Sequence, residues 1–143
     1  MLDASGDRTK EWRGTAEATR AEFVPRDAAM SDLAIGAINA ALNGLAARQR
    51  IIAQNIANSE TPNYIASKVD FESSLRSAID SGDPWTTAVS TSASDLPPNL
   101  NGNNVTVDDE TVALTDTNLR FQLMSEAINN KFHILKTSMR RDA

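Results

Sequence analysis

The 143-residue sequence contains no cysteine, one histidine and only 5% aromatic residues. Without cysteine, disulfides and thiolate metal sites are excluded. A histidine-based catalytic triad would have to be built around His133, which lies between Phe132 and Ile134 and is more simply explained as an interfacial or exposed helix residue. No Walker-type phosphate loop, dinucleotide-binding glycine pattern or zinc-protease motif occurs. The sequence therefore predicts a protein that is not an enzyme and has no cofactor or metal.

Basic residues are outnumbered by acidic ones, which gives a formal net charge of −5. This balance argues against a general nucleic-acid binder, because such proteins usually carry a basic face. No segment approaches the roughly 20 apolar residues that span a bilayer. Residues 1–30 carry charges throughout and have no apolar core of the kind found in signal peptides. We therefore expect no cleavable signal peptide, and export would need another route.

Residues 31–59 have the apolar periodicity of an amphipathic helix, with Ser31-Asp32 as a plausible N-cap. The central apolar residues repeat every seven positions, at Ile38, Leu45 and Ile52. Glycine at positions 36 and 44 weakens an isolated helix by roughly 1 kcal/mol each relative to alanine. The two glycines suggest either a close approach by another helix or a helix that needs partners to form.

Residues 108–143 contain the second and stronger helical pattern, which is continuous to position 141. Its apolar residues also repeat every seven positions, at Leu114, Phe121, Ile128 and Leu135. Asp108 is a credible N-cap, and Asp109 and Glu110 would stabilise the positive end of the helix dipole. These adjacent acids are better explained in this way than as an acid–base pair or a cation site.

Between the two helical patterns, residues 60–107 are rich in turn and loop chemistry. Thr61-Pro62 ends the first helix, since proline disfavours the α conformation of the residue before it. Val69 to Ile79 fits a short helix, and residues 80–107 predict an irregular loop. Residues 1–30 predict a disordered or weakly helical extension. The predicted fold is mainly α: two long amphipathic terminal helices pack as a coiled-coil-like pair, with an irregular loop-rich middle.

Three asparagines surround the break at the end of the first helix. Asn55 falls on the apolar seam, where a polar residue costs stability but fixes register, and Asn58 can cap exposed carbonyls. Thr61 to Tyr64 predicts a turn with Asn63 at the position that needs a positive φ, and Tyr64 would fold back onto the seam. Considered on physics alone, an ordinary helix C-terminus followed by a turn is an equally good interpretation.

The stretch AALNGLAARQRIIAQNIANSETPNYIASKVDF resembles the N-terminal signature of the flagellar axial proteins, the rod, hook and related subunits of the bacterial flagellum. Their shared pattern is an alanine- and leucine-rich helix ending in N-I-A-N-x-x-T-P-G-Y, followed by a charged stretch and a phenylalanine. The matching residues are Asn55, Ile56, Ala57, Asn58, Thr61, Pro62, Tyr64 and Phe71. Asn63 stands where the family usually has glycine, and asparagine is the next-best residue for a positive φ.

The C-terminal half narrows the resemblance to a proximal rod subunit, in which N-x-V-x-x-D-x-E precedes the final helix. The residues assigned to this motif, with small shifts in register, are Asn104, Val107, Asp109 and Glu110. The short chain also fits, because hook subunits carry large inserted domains. The 1–30 extension is not typical of the family, whose helix usually starts near the N-terminus.

The resemblance implies a structural subunit of the flagellar basal body rod, the drive shaft that transmits torque for motility. It implies location in the periplasmic, cell-envelope part of the flagellum and export through the flagellar type III apparatus. The implied partners are other rod subunits, the junction of the rod with the MS ring, export gate proteins and copies of the chain itself. Two alternatives remain at this point: a small helical adaptor or secretion-associated binding module, and a wall-degrading hydrolase.

Overall fold

The computed structural model describes residues 26–141, and the chain divides into two compact units, Met1–Ser31 and Asp32–Ala143. Most of the predicted 1–30 extension therefore lies outside the described residues. The first helix among these residues, α1, is Arg26–Ala57. It begins at Arg26 and not at Ser31, because residues that cap helices are also tolerated inside them at small cost. Pro25 precedes α1 in the sequence, and proline is compatible with the start of a helix.

The segment between the terminal helices contains more regular structure than the sequence predicts. Strand β1 is Ser67–Asp70, helix α2 is Glu72–Asp80, a 3₁₀ turn is Pro84–Thr86, and strand β2 is Ser90–Ala93. β1 and β2 pair antiparallel, with Ser67 opposite Ala93 and Asp70 opposite Ser90. The prediction of an irregular 80–107 loop is therefore wrong for β2. All four residues of β2 are exposed, so no apolar alternation marks the strand in the sequence.

The short helix predicted over Val69–Ile79 begins later than expected, because β1 extends to Asp70. The last helix, α3, is Val107–Arg141, close to the predicted 108–141. Asp108 lies inside its first turn with Asp109 and Glu110, so it is not the predicted N-cap, but all three acids lie at the positive end of the helix dipole. The described part of the chain is mainly helical, as predicted. Among the described residues, no helix is long and apolar enough to cross a membrane.

The core of the second unit is centred on Leu45, Val69 and Phe71. The partly buried apolar residues packed against this cluster are Ala47, Ile51, Leu75, Phe121 and Met124. The core thus joins α1, β1, α2 and α3. Phe71, which directly follows β1, is part of its central cluster.

Phe71 is held between a glycine and an arginine of α1. A Cβ atom at position 44 would lie only 2.6 Å from Cδ1 of the ring, so the ring lies directly on Gly44. The guanidinium of Arg48 lies 5.0 Å from the ring centroid and bonds to the Glu72 carboxylate at 2.8 Å. At Gly36 the approaching group is the Trp85 ring, 3.2 Å from the corresponding Cβ position. The close approach to the glycines that was predicted for another helix is instead made by aromatic side chains of the middle segment.

Candidate functional site

The break after α1 is a tight turn over Thr61–Tyr64. The Tyr64 N–H donates to the Thr61 carbonyl at 3.3 Å, and Asn63 has a φ of 59°. The predicted positive φ at Asn63 is therefore observed. The Asn63 N–H donates to the carbonyl of Asn101 at 3.0 Å, which ties the turn to the loop before α3. Gly102 of that loop, with a φ of 78°, packs so closely on Asn63 that a side chain there would overlap it.

Two substitutions of Asn63 test whether the turn depends on its positive φ. Asn63→Ala should lower the free energy of unfolding by about 1 kcal/mol, because alanine is less tolerant of the left-handed region than asparagine. Asn63→Gly should be neutral or mildly stabilising, because glycine adopts a positive φ without a steric cost. Thermal unfolding followed by circular dichroism measures both. Equal losses in the two variants would show that the asparagine side chain, and not the backbone conformation, is what matters.

The Asn55 side chain occupies the centre of the site and is 1% exposed. Its amide donates to the Ser67 carbonyl and to Oε1 of Glu110, each at 2.9 Å. Its Oδ1 accepts from the Ser67 N–H at 3.0 Å and from the Tyr64 hydroxyl at 3.2 Å. Both donors and both lone pairs of the amide are therefore used. This one side chain connects the end of α1 to β1, to the turn and to the start of α3.

Asn55 bonds to Ser67 as a neighbouring strand would, with one donated and one accepted backbone bond. A polar side chain buried without partners would cost about 1–3 kcal/mol, whereas a fully bonded one stabilises a single arrangement. The sequence predicted a polar seam residue that sets register. The structure adds that its partners are β1 backbone, Tyr64 and Glu110.

Glu110 is half-buried beside Asn55. Burial raises the pKa of the Glu110 carboxyl above its ordinary 4.5, and the nearby charge of Asp109 adds to the rise. The hydrogen bond from Asn55 and the charge of Lys68 act in the opposite direction but are outweighed. A raised folded-state pKa means that this group's stabilising contribution is full below pH 4.5 and is lost as the pH rises through the folded-state pKa.

This sign predicts a pH-dependent effect for Glu110→Gln, which keeps an oxygen acceptor for Asn55 but cannot ionise. The variant should exceed the wild-type chain in free energy of unfolding at about pH 7, and the difference should shrink towards about pH 3.5. Burial raises the pKa of the Glu72 carboxyl, but hydrogen bonds from Arg48 and from two backbone N–H groups outweigh it and lower the pKa. Protonation of Glu72 in acid therefore lowers the stability of the variant and of the wild-type chain equally. Urea unfolding across this pH range measures the difference. A difference in free energy of unfolding that does not change with pH would contradict the raised pKa of Glu110.

Asn103 holds the end of α1 from the other side and is also 1% exposed. Its amide group lies 2.9, 3.0 and 2.8 Å from the carbonyl oxygens of Asn58, Ser59 and Thr61. Its Oδ1 accepts from the Val105 N–H at 2.7 Å. These three carbonyls belong to the turn residues that follow Ala57, the last residue of α1. Asn103 therefore holds the chain just beyond α1 from the loop that leads into α3.

Asn104 secures the extended chain that follows the turn. Its Oδ1 accepts from the Ala66 N–H at 2.7 Å, and its amide donates to the Leu96 carbonyl at 3.0 Å. Its own N–H donates to the Tyr64 carbonyl at 3.3 Å. We call the set of Asn55, Asn103, Asn104 and the backbone that they bind the asparagine junction.

The sequence interpretation missed Asn103, although the signal was present. The spacing N-x-V-x-x-D-x-E is met without any shift by Asn103, Val105, Asp108 and Glu110. Asn103 and Val105 are buried, whereas Val107, assigned to the motif above, is 43% exposed and Asp109 is exposed. Burial therefore favours Val105 over Val107 in this motif. Asp108 is as exposed as Asp109, so only the exact spacing favours it, while Glu110 keeps its place and Asn104 contributes as the neighbour of Asn103.

The side chains of the remaining motif residues lie around the junction without entering it, although the Asn58 and Thr61 carbonyls belong to it. The Asn58 amide donates to the Gln54 carbonyl at 2.8 Å, so it caps α1 as predicted. The Thr61 hydroxyl donates to Asn58 Oδ1 at 3.3 Å. Ile56 is half-buried, and Ala57 and Pro62 are exposed.

The predicted seam residues differ in burial. Leu45 and Ile52 are buried, and the others are half-buried: Ile38, Leu114, Phe121, Ile128 and Leu135. Phe121 of α3 packs on the core cluster that contains Leu45. Further contact between the two helices comes from the Gln49 amide, which donates to Asn118 Oδ1 at 2.7 Å. His133 is exposed.

The chain is similar to the same flagellar protein from several bacteria. The chain is 38% identical over 103 residues to flagellar basal body rod protein FlgB of Bacillus subtilis (strain 168), covering 63% of this chain and 80% of that protein. It is 32% identical over 112 residues to FlgB of Escherichia coli (strain K12), covering 64% and 81%. It is 34% identical over 118 residues to FlgB of Borreliella burgdorferi, covering 67% and 85%. No family model matches the chain.

Proposed function

The chain belongs to the family of the flagellar basal body rod protein FlgB, a structural subunit of the rod, and from this premise we propose that its asparagine junction sets the geometry of the two rod helices. The observation that carries the proposal is the fully bonded Asn55 side chain, which connects α1 to the start of α3. A rod transmits torque as a drive shaft, so the angle between its helices has to resist load. Buried and fully satisfied polar networks select one arrangement in this way.

The terminal helices form an antiparallel, coiled-coil-like pair in this proposal. Three contacts support it, because their order along the two helices is reversed. Asn55 bonds to Glu110, Gln49 bonds to Asn118, and Leu45 belongs to the cluster on which Phe121 packs. The half-buried seam residues of α3 then have apolar area left for contacts with neighbouring subunits, which suits self-assembly.

Association with other rod or basal body components follows from membership of the family. We extend this to copies of the chain itself, to the junction of the rod with the MS ring and to the export gate. We also propose a periplasmic location and type III export without cleavage of a signal peptide. Membership of a family named for a rod protein favours this function over the adaptor and the hydrolase, and no catalytic role is part of the proposal.

Incorporation into basal bodies tests the function directly. A flagellated strain that lacks its own FlgB should regain motility when it expresses this chain with its native partner rod proteins, and isolated basal bodies should contain the chain. Asn55→Leu should reduce both motility and incorporation. Gln54→Leu is the matched control, since Gln54 is an exposed amide one residue away on α1. If the wild-type chain is absent from basal bodies, the function is refuted; if Asn55→Leu is incorporated normally, the role of the junction is refuted.

A further inference from the structure

A groove of about 380 Å³ lies between α1, β1 and the first turns of α3. Its apolar lining residues are Ile51, Ile52, Val69, Leu96 and Ala113. Four carboxylates also line it: Asp70, Asp109, Glu110 and Asp116. Two cations, Arg48 and Lys68, also line it. Arg48 is bridged to Glu72 at 2.7 Å, and Asp116 is bridged to Arg120 at 2.7 Å, so three carboxylates face Lys68 alone. The groove therefore combines an apolar surface with excess negative charge, which suits an amphipathic cationic segment.

The C-terminal part of α3 is a segment of this kind. Residues 107–126 contain five acids and one base, whereas residues 127–141 contain four bases and no acid. In the same part, Phe132, Ile134 and Met139 are 53%, 60% and 76% exposed. The helix dipole accounts for charges in the first and last turns only. It explains neither the basic Lys131 and Lys136 nor the exposed apolar side chains.

The C-terminal turns of α3 cannot enter the groove of their own chain. Lys136 lies 26 positions beyond Glu110 on one continuous helix, a distance of about 40 Å at ~1.5 Å per residue. A second copy has no such restriction. The contact would use the groove of one copy and the C-terminal turns of the other. The first copy would keep free C-terminal turns, and the second would keep a free groove. Such heterologous contacts produce rings or open-ended stacks.

We propose that the groove of one subunit binds the C-terminal turns of α3 from a second copy, which packs head to tail against it. Asp109 is exposed at the groove, and Lys136 is exposed on the C-terminal turns of α3, which we call the tail. The two residues form an ion pair across the contact. Apolar side chains of the tail, Phe132 and Met139, cover the groove lining. The inference deepens the proposed function and rests on it, since it names the partner of a rod subunit's surface.

Charge reversal on both sides of the contact tests the proposal in the full-length chain. Sedimentation velocity should show wild-type self-association that weakens between about 50 mM and 500 mM NaCl. Asp109→Lys and Lys136→Glu should each weaken association by about five- to tenfold, because each replaces an attraction with a repulsion. The double variant should return to within about twofold of wild type, since the pair is restored with its signs exchanged. The matched control pair is Glu126→Lys with Arg76→Glu. Both residues are exposed, and they lie outside the groove and outside the last three turns of α3.

Each other result overturns the proposal. Losses that add in the double variant, or losses equal to those of the control pair, would mean that Asp109 and Lys136 do not meet. A wild-type chain that remains monomeric at millimolar concentration would mean that the occupant is not a second copy, and a defect of Asp109→Lys in basal bodies would then indicate another rod component. Circular dichroism of every variant checks that the fold is kept. Since incorporation of the wild-type chain is measured separately, failure here is distinct from failure of the rod function.

Discussion

Asn55→Leu should lower the free energy of unfolding by about 3–5 kcal/mol, the largest effect that we expect from a single substitution in this protein. Leucine is a better helix former than asparagine and is branched at the same carbon, so α1 itself gains. The loss arises because the Ser67 N–H and carbonyl, the Tyr64 hydroxyl and the Glu110 carboxylate all lose the partner that Asn55 provides. Urea unfolding followed by circular dichroism measures the change.

Hydrogen exchange shows where the Asn55→Leu effect acts. The amide of Ser67, which donates to Asn55, should lose more protection in the variant than amides near the centre of α1, because it also becomes exposed by local opening. Gln54→Leu should change stability by no more than about 0.5 kcal/mol, because Gln54 is an exposed surface residue. Because a polar residue in an apolar seam costs stability and fixes register, the seam pattern by itself predicts that Asn55→Leu preserves or raises helix stability but impairs assembly. Unchanged overall stability in the variant would favour that interpretation over the structural one.

Gly44→Ala should be the second large effect, with a loss of about 1–3 kcal/mol or more. Helix propensity predicts the opposite, a gain of roughly 1 kcal/mol, so the sign of the result decides between local and tertiary control. The loss is expected because the added Cβ would overlap the Phe71 ring, which is held in place by the core on one side and by Arg48 on the other.

Two further variants isolate the Gly44–Phe71 contact. Gly44→Ala should cost less in a Phe71→Leu background, where the smaller side chain leaves room for the new methyl group, and thermal unfolding of all four proteins gives the coupling. Gly36→Ala is the control on the same helix. It meets Trp85 at 3.2 Å, but that ring is 63% exposed and free to move away. A stabilised Gly44→Ala protein would mean that Phe71 does not need this close approach.

Much of the fold follows from local patterns in the sequence. Seven-residue apolar spacing identified α1 and α3, and the acidic start of α3 placed its first residue to within one position. The turn was predictable because Pro62 and Asn63 have strong intrinsic preferences, and the φ of Asn63 agrees. Strand β2 was not predictable, since its side chains are all exposed and its partner residues lie twenty or more positions earlier in the chain.

The asparagine junction was only half predictable. Asn55 and Asn58 were identified because asparagine is unexpected near the end of an apolar helix. Asn103 is surrounded by other polar residues in a loop-rich stretch, so nothing in its local composition distinguishes a buried side chain from an exposed one. Its importance depends on carbonyls just beyond the end of α1, which lie more than forty residues away in the sequence.

The sequence by itself determined the two long helices, the turn between them and the resemblance to flagellar axial proteins, because these depend on residue types at short, regular spacing. The tertiary structure alone decided what the asparagines bind, why Gly44 is a glycine and which loop completes the end of α1. These features depend on partners far away in the chain, and hydrogen bonds and close packing act over a few ångströms. Only the folded chain brings such partners within that distance.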